Sequence, residues 1–341
     1  MAKGDSGGET STCEQAYSQE IDRRGRSGVR CTKAASRVAT CLRSSAGRND
    51  QGDRKGSSIR PMIQKILFPV DFSPACTAMA GYVRRAATIL GARVALLHVA
   101  HLPSHNAFEV YVRPVPEIEE EHRSVAQKRL NAFLQAEFPT AESPRFLAFG
   151  DVADEITHMA NAGAFDLIIM PTHAGRFRRM LLGSTTAKVL TDADCFVMTS
   201  EHAETVAPKP LEHRKWLCAI SLNDDSERVL RAAAEAAETT GARLFVIHAI
   251  QGSRLDLSKE LGRDDEIDLL VAREARRRAE QLQRAAGCNA PFQMIAGPSV
   301  KEALVEAARR SGADVLIIGR KGQHDLAYQV VRDSPVPVLS V

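Results

Sequence analysis

Three short segments carry residue types suited to holding a nucleotide. Pro69-Val70-Asp71 closes an apolar run and leaves a carboxylate where the chain exits a strand, followed by Phe72 and Ser73. A carboxylate so placed accepts hydrogen bonds from ribose hydroxyls. Leu97-His98-Val99 closes a second apolar run and offers Val99 as a wall for a flat base. Met170-Pro171-Thr172-His173-Ala174-Gly175 closes a third; a basic stretch to Arg179 follows, and then Gly183-Ser184-Thr185 opens a helix. Glycine lets backbone N–H groups approach an anion, the helix N-terminus adds partial positive charge, and hydroxyls add donors. This is phosphate-binding chemistry without a Gly-Lys-Ser/Thr loop. Plainer roles stand beside these. Asp71 also suits capping of the turn after it, and His98 suits a buried imidazole satisfied by one hydrogen bond. No nucleophile or carboxylate is predicted beside His173, so no catalytic residue is assigned. Arg176, Arg178 and Arg179 fit a solvated basic face as well as a phosphate contact.

The elements that must position these segments occur twice. Ile66 to Ser73 matches Trp216 to Asn223 at an offset of 150, and Gly91 to His98 matches Gly241 to His248 at the same offset. Asp166 to Ile169 matches Asp314 to Ile317 at 148. Three markers in order identify an internal duplication. Each copy alternates short apolar runs with helical patterns, which predicts parallel strands covered on both faces. The fold class is therefore α/β, as two tandem doubly wound domains, each a five-stranded parallel sheet with helices on both faces. Domain 1 spans 62–200, a Pro-containing linker 201–214, and domain 2 215–341. Ser73 with Pro74 marks one helix start, and Asp224 or Asp225 the matching one. Longer helices are predicted over about 117–137 and 264–286.

The segment 66–73, the Leu97-His98-Val99 strand end, and Ile169 to His173 with Leu181 to Ser184 resemble the universal stress protein family, whose fold is adenine-nucleotide alpha-hydrolase-like. The resemblance covers both halves. It implies ATP bound through a Gly-x-x-Gly-x9-Gly-Ser/Thr motif, with Mg²⁺ accompanying ATP. Asp71 would hold the ribose, Val99 would border the adenine, and Gly183, Ser184 and Thr185 would contact phosphates. The cofactor-binding set is thus Pro69, Asp71, Phe72, Ser73, Val99, Met170, Pro171, Thr172, His173, Gly175, Gly183, Ser184 and Thr185. Two motif glycines are replaced, by Pro171 and Ala174, with Gly175 one place further on, and Pro171 lacks a backbone donor. In domain 2, Gly319-Arg320-Lys321-Gly322 begins like the motif, but seven residues are missing before the last strand and Ser221 stands where Asp71 does. Domain 2 is expected to be degenerate for nucleotide.

Composition narrows the class. Residues 1–61 hold 12 Lys+Arg against 7 Asp+Glu, and the remainder 33 against 35. The basic excess therefore lies in a segment with the composition of a disordered tail, and the folded part gives no reason to expect nucleic acid. Met62, just before the first strand, is a candidate translation start. No apolar run is long enough to span a membrane, no secretory leader is evident, and seven scattered cysteines lack metal-site spacing. A cytoplasmic location without structural metal is expected. The leading reading is a non-catalytic nucleotide-binding protein of stress response or signalling. A weak ATPase and a nucleotide-independent interaction module are the alternatives. The final strands of the two copies, 195–199 and 336–340, are apolar and edge-like, which predicts antiparallel pairing within one chain; a homodimer is a further expectation.

Overall fold

The computed structural model of the chain describes residues 63–101, 115–172, 183–200, 214–252, 264–320 and 324–341, with backbone alone over 264–269 and at 324. The N-terminal segment, the 201–213 part of the linker, and the loop holding His173, Gly175 and the three arginines lie outside these residues. Domain 1 runs β1 (Lys65–Pro69), α1 (Pro74–Leu90), β2 (Arg93–Ala100), α2 (Val115–Ala132), β3 (Arg145–Phe149), α3 (Val152–Ala162), β4 (Leu167–Pro171), α4 (Ser184–Asp192) and β5 (Phe196–Ser200). Domain 2 repeats the order as β6 (Lys215–Ala219), α5 (Asp225–Thr240), β7 (Arg243–Gln251), α6 (Asp264–Ala286), β8 (Phe292–Gly297), α7 (Val300–Ser311), β9 (Val315–Ile318), α8 (His324–Asp333) and β10 (Val338–Ser340).

The strands form one ten-stranded sheet ordered β3-β2-β1-β4-β5-β10-β9-β6-β7-β8. Every pairing is parallel except β5 with β10, where Leu339 faces Met198. Each of these strands ends its own domain's run, and their antiparallel pairing, as expected, puts them at the centre of the joined sheet, whose edges are β3 and β8. Pro337 precedes β10, so its missing N–H costs no ladder bond there. One core cluster on each face runs across both halves. α1 meets α5 on one face, and α4 meets α8 on the other.

The repeat extends to individual hydrogen bonds. Asp166 Oδ2 accepts from the N–H groups of Gln64 and Lys65, as Asp314 Oδ2 does from Arg214 and Lys215. Phe72 and Leu222 both adopt φ 63°. Ser73 caps α1 by accepting from Cys76 N–H, with Pro74 at the first helical position. In domain 2 Asp224 is the N-cap, as expected, but its side chain makes no cap bond. Asn223 Oδ1 accepts from Ser226 N–H, while Asp224 pairs with Arg278 and Asp225 with Arg228. α2 also stops five residues before its predicted end. Buried Arg145, on β3, donates to the carbonyls of Leu130, Phe133 and Phe138. These bonds take the acceptors that a longer helix would have used internally.

Candidate functional site

The strand order reverses between β1 and β4, the switch point where doubly wound sheets take ligands. Two proline positions open the sheet there. In a parallel strand, successive residues direct their backbone groups to opposite neighbours. Val70 N–H donates to Leu97 O on β2, so Pro69 faces β4; Thr172 N–H donates to Ser200 O beside β5, so Pro171 faces β1. Each proline lacks the N–H that would close the ladder. The β1–β4 register accordingly has two pairs, Ile66 with Leu167 and Leu67 with Ile168, whereas β4–β5 has five. In domain 2 the matching residues are Ala219 and Gly319, which keep their N–H groups, and the β6–β9 ladder has four pairs up to Ala219 with Ile318. Pro171, expected in the cofactor-binding set though without a donor, is by the phase of the backbone one of the two prolines that end the β1–β4 ladder.

α4 points its N-terminus to this end of the sheet. Its N-cap is Gly183, with φ −60° and ψ 140°, and no side chain caps it. The Gly183 N–H donates to Thr172 O at 3.3 Å, and Thr186 Oγ1 reaches the same carbonyl at 3.5 Å. The loop end is therefore pinned to β4 through buried Thr172. The next N–H groups, at Ser184 and Thr185, belong to the first helical turn, where donors have no intrahelical acceptor. Ser184 is exposed and Thr185 half-buried.

At the β1 end, Asp71 Oδ1 accepts from Ser73 N–H at 2.9 Å and from Cys76 Sγ at 3.1 Å. Asp71 thus performs the capping role, while its exposed position keeps it at the crevice rim. Burial raises its pKa, but these hydrogen bonds outweigh burial and hold the carboxyl below its usual 3.8. Burial, followed by the Asp71 charge, pushes Cys76 up to about 12, so it stays a thiol donor. The Phe72 ring packs 4.2 Å from His98 and 5.1 Å from Phe133, with Arg129 above it at 4.3 Å. It thus serves the α2 face and leaves only its backbone at the rim. His98 Nδ1 lies 2.8 Å from Val70 O, and His248 Nδ1 lies 2.8 Å from Ile220 O. A carbonyl can only accept, so both rings carry the proton on Nδ1. Burial, reinforced by Arg129, lowers the His98 pKa against the favourable Val70 bond. Pro69, Val99 and Met170 are buried and apolar, so they can offer surface but no polar side-chain contact.

The depressed Asp71 pKa makes a stability prediction. A group whose folded-state pKa is lowered stabilises the fold above its unfolded value and loses that contribution as pH falls through the folded value. Asp71→Asn keeps an acceptor oxygen but cannot titrate. Its stability deficit relative to the parent should therefore be constant at neutral pH and shrink as pH falls below 3.8. Asp71→Ala should cost about 1 kcal/mol more than Asp71→Asn at neutral pH, through loss of the cap. Denaturant unfolding at several pH values measures both. A pH-independent deficit for Asp71→Asn contradicts the assignment.

An open switch point beside an uncapped helix start defines a doubly wound α/β protein of the kind that takes ligands at its strand carboxyl ends. The model of the universal stress protein family matches residues 62–200 and again 212–341. The chain belongs to that family and carries its domain twice. It is 27% identical over 118 residues to universal stress protein A homolog 1 of Coxiella burnetii, covering 34% of this chain and 82% of that one. A universal stress protein structure from Archaeoglobus fulgidus shares the fold with TM-score 0.56 and 21% identity, over 82% of this chain and 98% of that one. A Pseudomonas aeruginosa protein of unknown function gives TM-score 0.54 and 19% identity, over 82% and 92%.

Proposed function

We propose that domain 1 binds one adenine nucleotide of the ATP or AMP type, without turning it over, and that the chain acts in a cytoplasmic stress response or its signalling. The facing prolines beside the uncapped α4 carry this reading. They end the β1–β4 ladder early beside the first-turn N–H groups of α4, and domain 2 lacks both prolines. Asp71 would meet the ribose, Val99 and Met170 the base, and Ser184 and Thr185 the phosphates, with Mg²⁺ on the phosphates of ATP. The corresponding end of domain 2 holds a cavity of about 200 Å³ lined by Ser221, His248 and Gly319 and walled by Leu326, Ala327 and Val330 of α8. That is below the roughly 300–1,000 Å³ of ligand pockets.

Among the described residues no helix is long and apolar enough to cross a membrane. We further propose that the β5–β10 pairing forms within one chain in solution, making the tandem a self-contained pair. Mass spectrometry of ligand released from freshly purified protein tests the nucleotide reading. An adenine nucleotide near one per chain supports it. Conversion of added ATP to ADP replaces non-catalytic binding with weak hydrolysis. Absence of ligand together with no binding of added ATP favours the interaction module.

A further inference from the structure

Arg320 sits at the domain 2 position matching Thr172, at the start of the loop that was expected to be a vestigial phosphate motif. Its backbone still behaves as Thr172 does. Arg320 N–H donates to Val341 O at 3.0 Å, as Thr172 N–H does to Ser200 O at 3.3 Å. Its side chain does something with no counterpart in domain 1. It crosses the β5–β10 junction and becomes 93% buried, with 7% of its surface exposed. Nη1 donates to Leu190 O and Ala193 O, both at 2.9 Å, and Nη2 donates to Cys195 O. Leu190 lies in the last turn of α4, Ala193 is its C-cap, and Cys195 leads into β5.

A guanidinium at this place satisfies helix-end carbonyls and complements the negative end of the helix dipole. Its planar fork has fixed donor directions, so three carbonyls bound at once fix the position and rotation of the helix end. α4 has nine residues and is about 13 Å long, so a shift at one end is carried to the other. The other charged tie on α4, Lys188 with Asp151 and Asp154, is 42% exposed on the lysine side and holds less firmly. Arg145 holds the end of α2 by the same chemistry, from within its own domain.

We infer that Arg320 is a positioning residue for the domain 1 site: domain 2 no longer receives a ligand at this loop but clamps the C-terminal end of α4, setting where its N-terminal phosphate donors sit. The inference rests on the nucleotide reading given above. It makes a discrimination that simple gluing of the two domains would not. Loss of the clamp should weaken ligands that bear phosphates and spare the nucleoside, because the base and ribose walls belong to β1, β2 and β4.

The test uses the full chain as parent, Arg320→Met and Arg320→Lys, with ATP and adenosine as probes in calorimetry. Hydrogen exchange over 184–195 is followed in parallel. Arg320→Met should lose about tenfold in ATP affinity while adenosine affinity stays within about twofold. Exchange over 184–195 should speed up by about tenfold. Arg320→Lys should fall between, since one ammonium reaches fewer carbonyls in fixed directions, and it carries the comparison if the Met variant does not fold. Equal loss for ATP and adenosine, or unchanged ATP affinity, overturns the inference. If the parent binds neither probe, the nucleotide reading falls, and exchange alone decides the clamp: unchanged exchange over 184–195 overturns it.

Discussion

Replacing Gly183 with valine should lower ATP affinity by about a hundredfold while leaving the chain folded. The backbone at Gly183, φ −60° and ψ 140°, is open to any L-residue, so no dihedral strain is added. The side chain is the difficulty. A Cβ there would lie 3.3 Å from the backbone Thr172 O and 3.9 Å from Thr186 Oγ1, so the start of α4 must shift away from its place against β4. An anion would then be kept from the Ser184 and Thr185 N–H groups. Loss of one or two hydrogen bonds to a charged ligand costs about 1.5–3 kcal/mol, and a hundredfold in affinity corresponds to about 2.8 kcal/mol. Valine in place of glycine at an N-cap should cost about 1 kcal/mol of stability, which leaves most of the native state populated. Calorimetry with ATP, backed by thermal unfolding, measures the two effects separately. Unchanged affinity would remove α4 from the site.

The second large effect concerns the junction. Val338 is 1% exposed and lies between two strands, opposite Thr199 on β5 and Leu316 on β9. Aspartate at this point would bury a carboxyl within the core that both domains share, at a cost of about 4 kcal/mol. The damage should concentrate at the β5–β10 seam, because β9 remains anchored to β6 on its other side. After proteolytic cutting within 201–213, the two halves of the parent should elute together on size exclusion, and those of Val338→Asp should separate. Co-elution of the variant halves would show that the strand pair is not what joins them.

The sequence made the repeat legible because it is written in short apolar runs at fixed offsets, and strands buried on both faces require such runs. Ser73-Pro74 was readable for a local reason: an N-cap acts over three residues. The paired prolines were visible as residues but not as a device. Whether Pro69 and Pro171 face each other depends on strand register and on the phase of alternating backbone groups, which composition does not reveal. Arg320 was harder still. Within Gly319-Arg320-Lys321-Gly322 it resembles the start of a phosphate loop, and its partners lie 125–130 residues earlier. The early end of α2 has the same origin, since the buried Arg145 that takes its carbonyls comes from the next strand. Asp224 holds the expected N-cap position, but its carboxylate pairs with Arg278 and the capping bond comes from Asn223 instead.

Under the proposed function, one domain of the pair keeps a nucleotide site and the other has become its support. Calorimetric titration of the full chain with ATP tests this most directly, through the stoichiometry. One ATP per chain, lost in Gly183→Val, is the expected result. Two per chain, or binding that survives Gly183→Val unchanged, would contradict it.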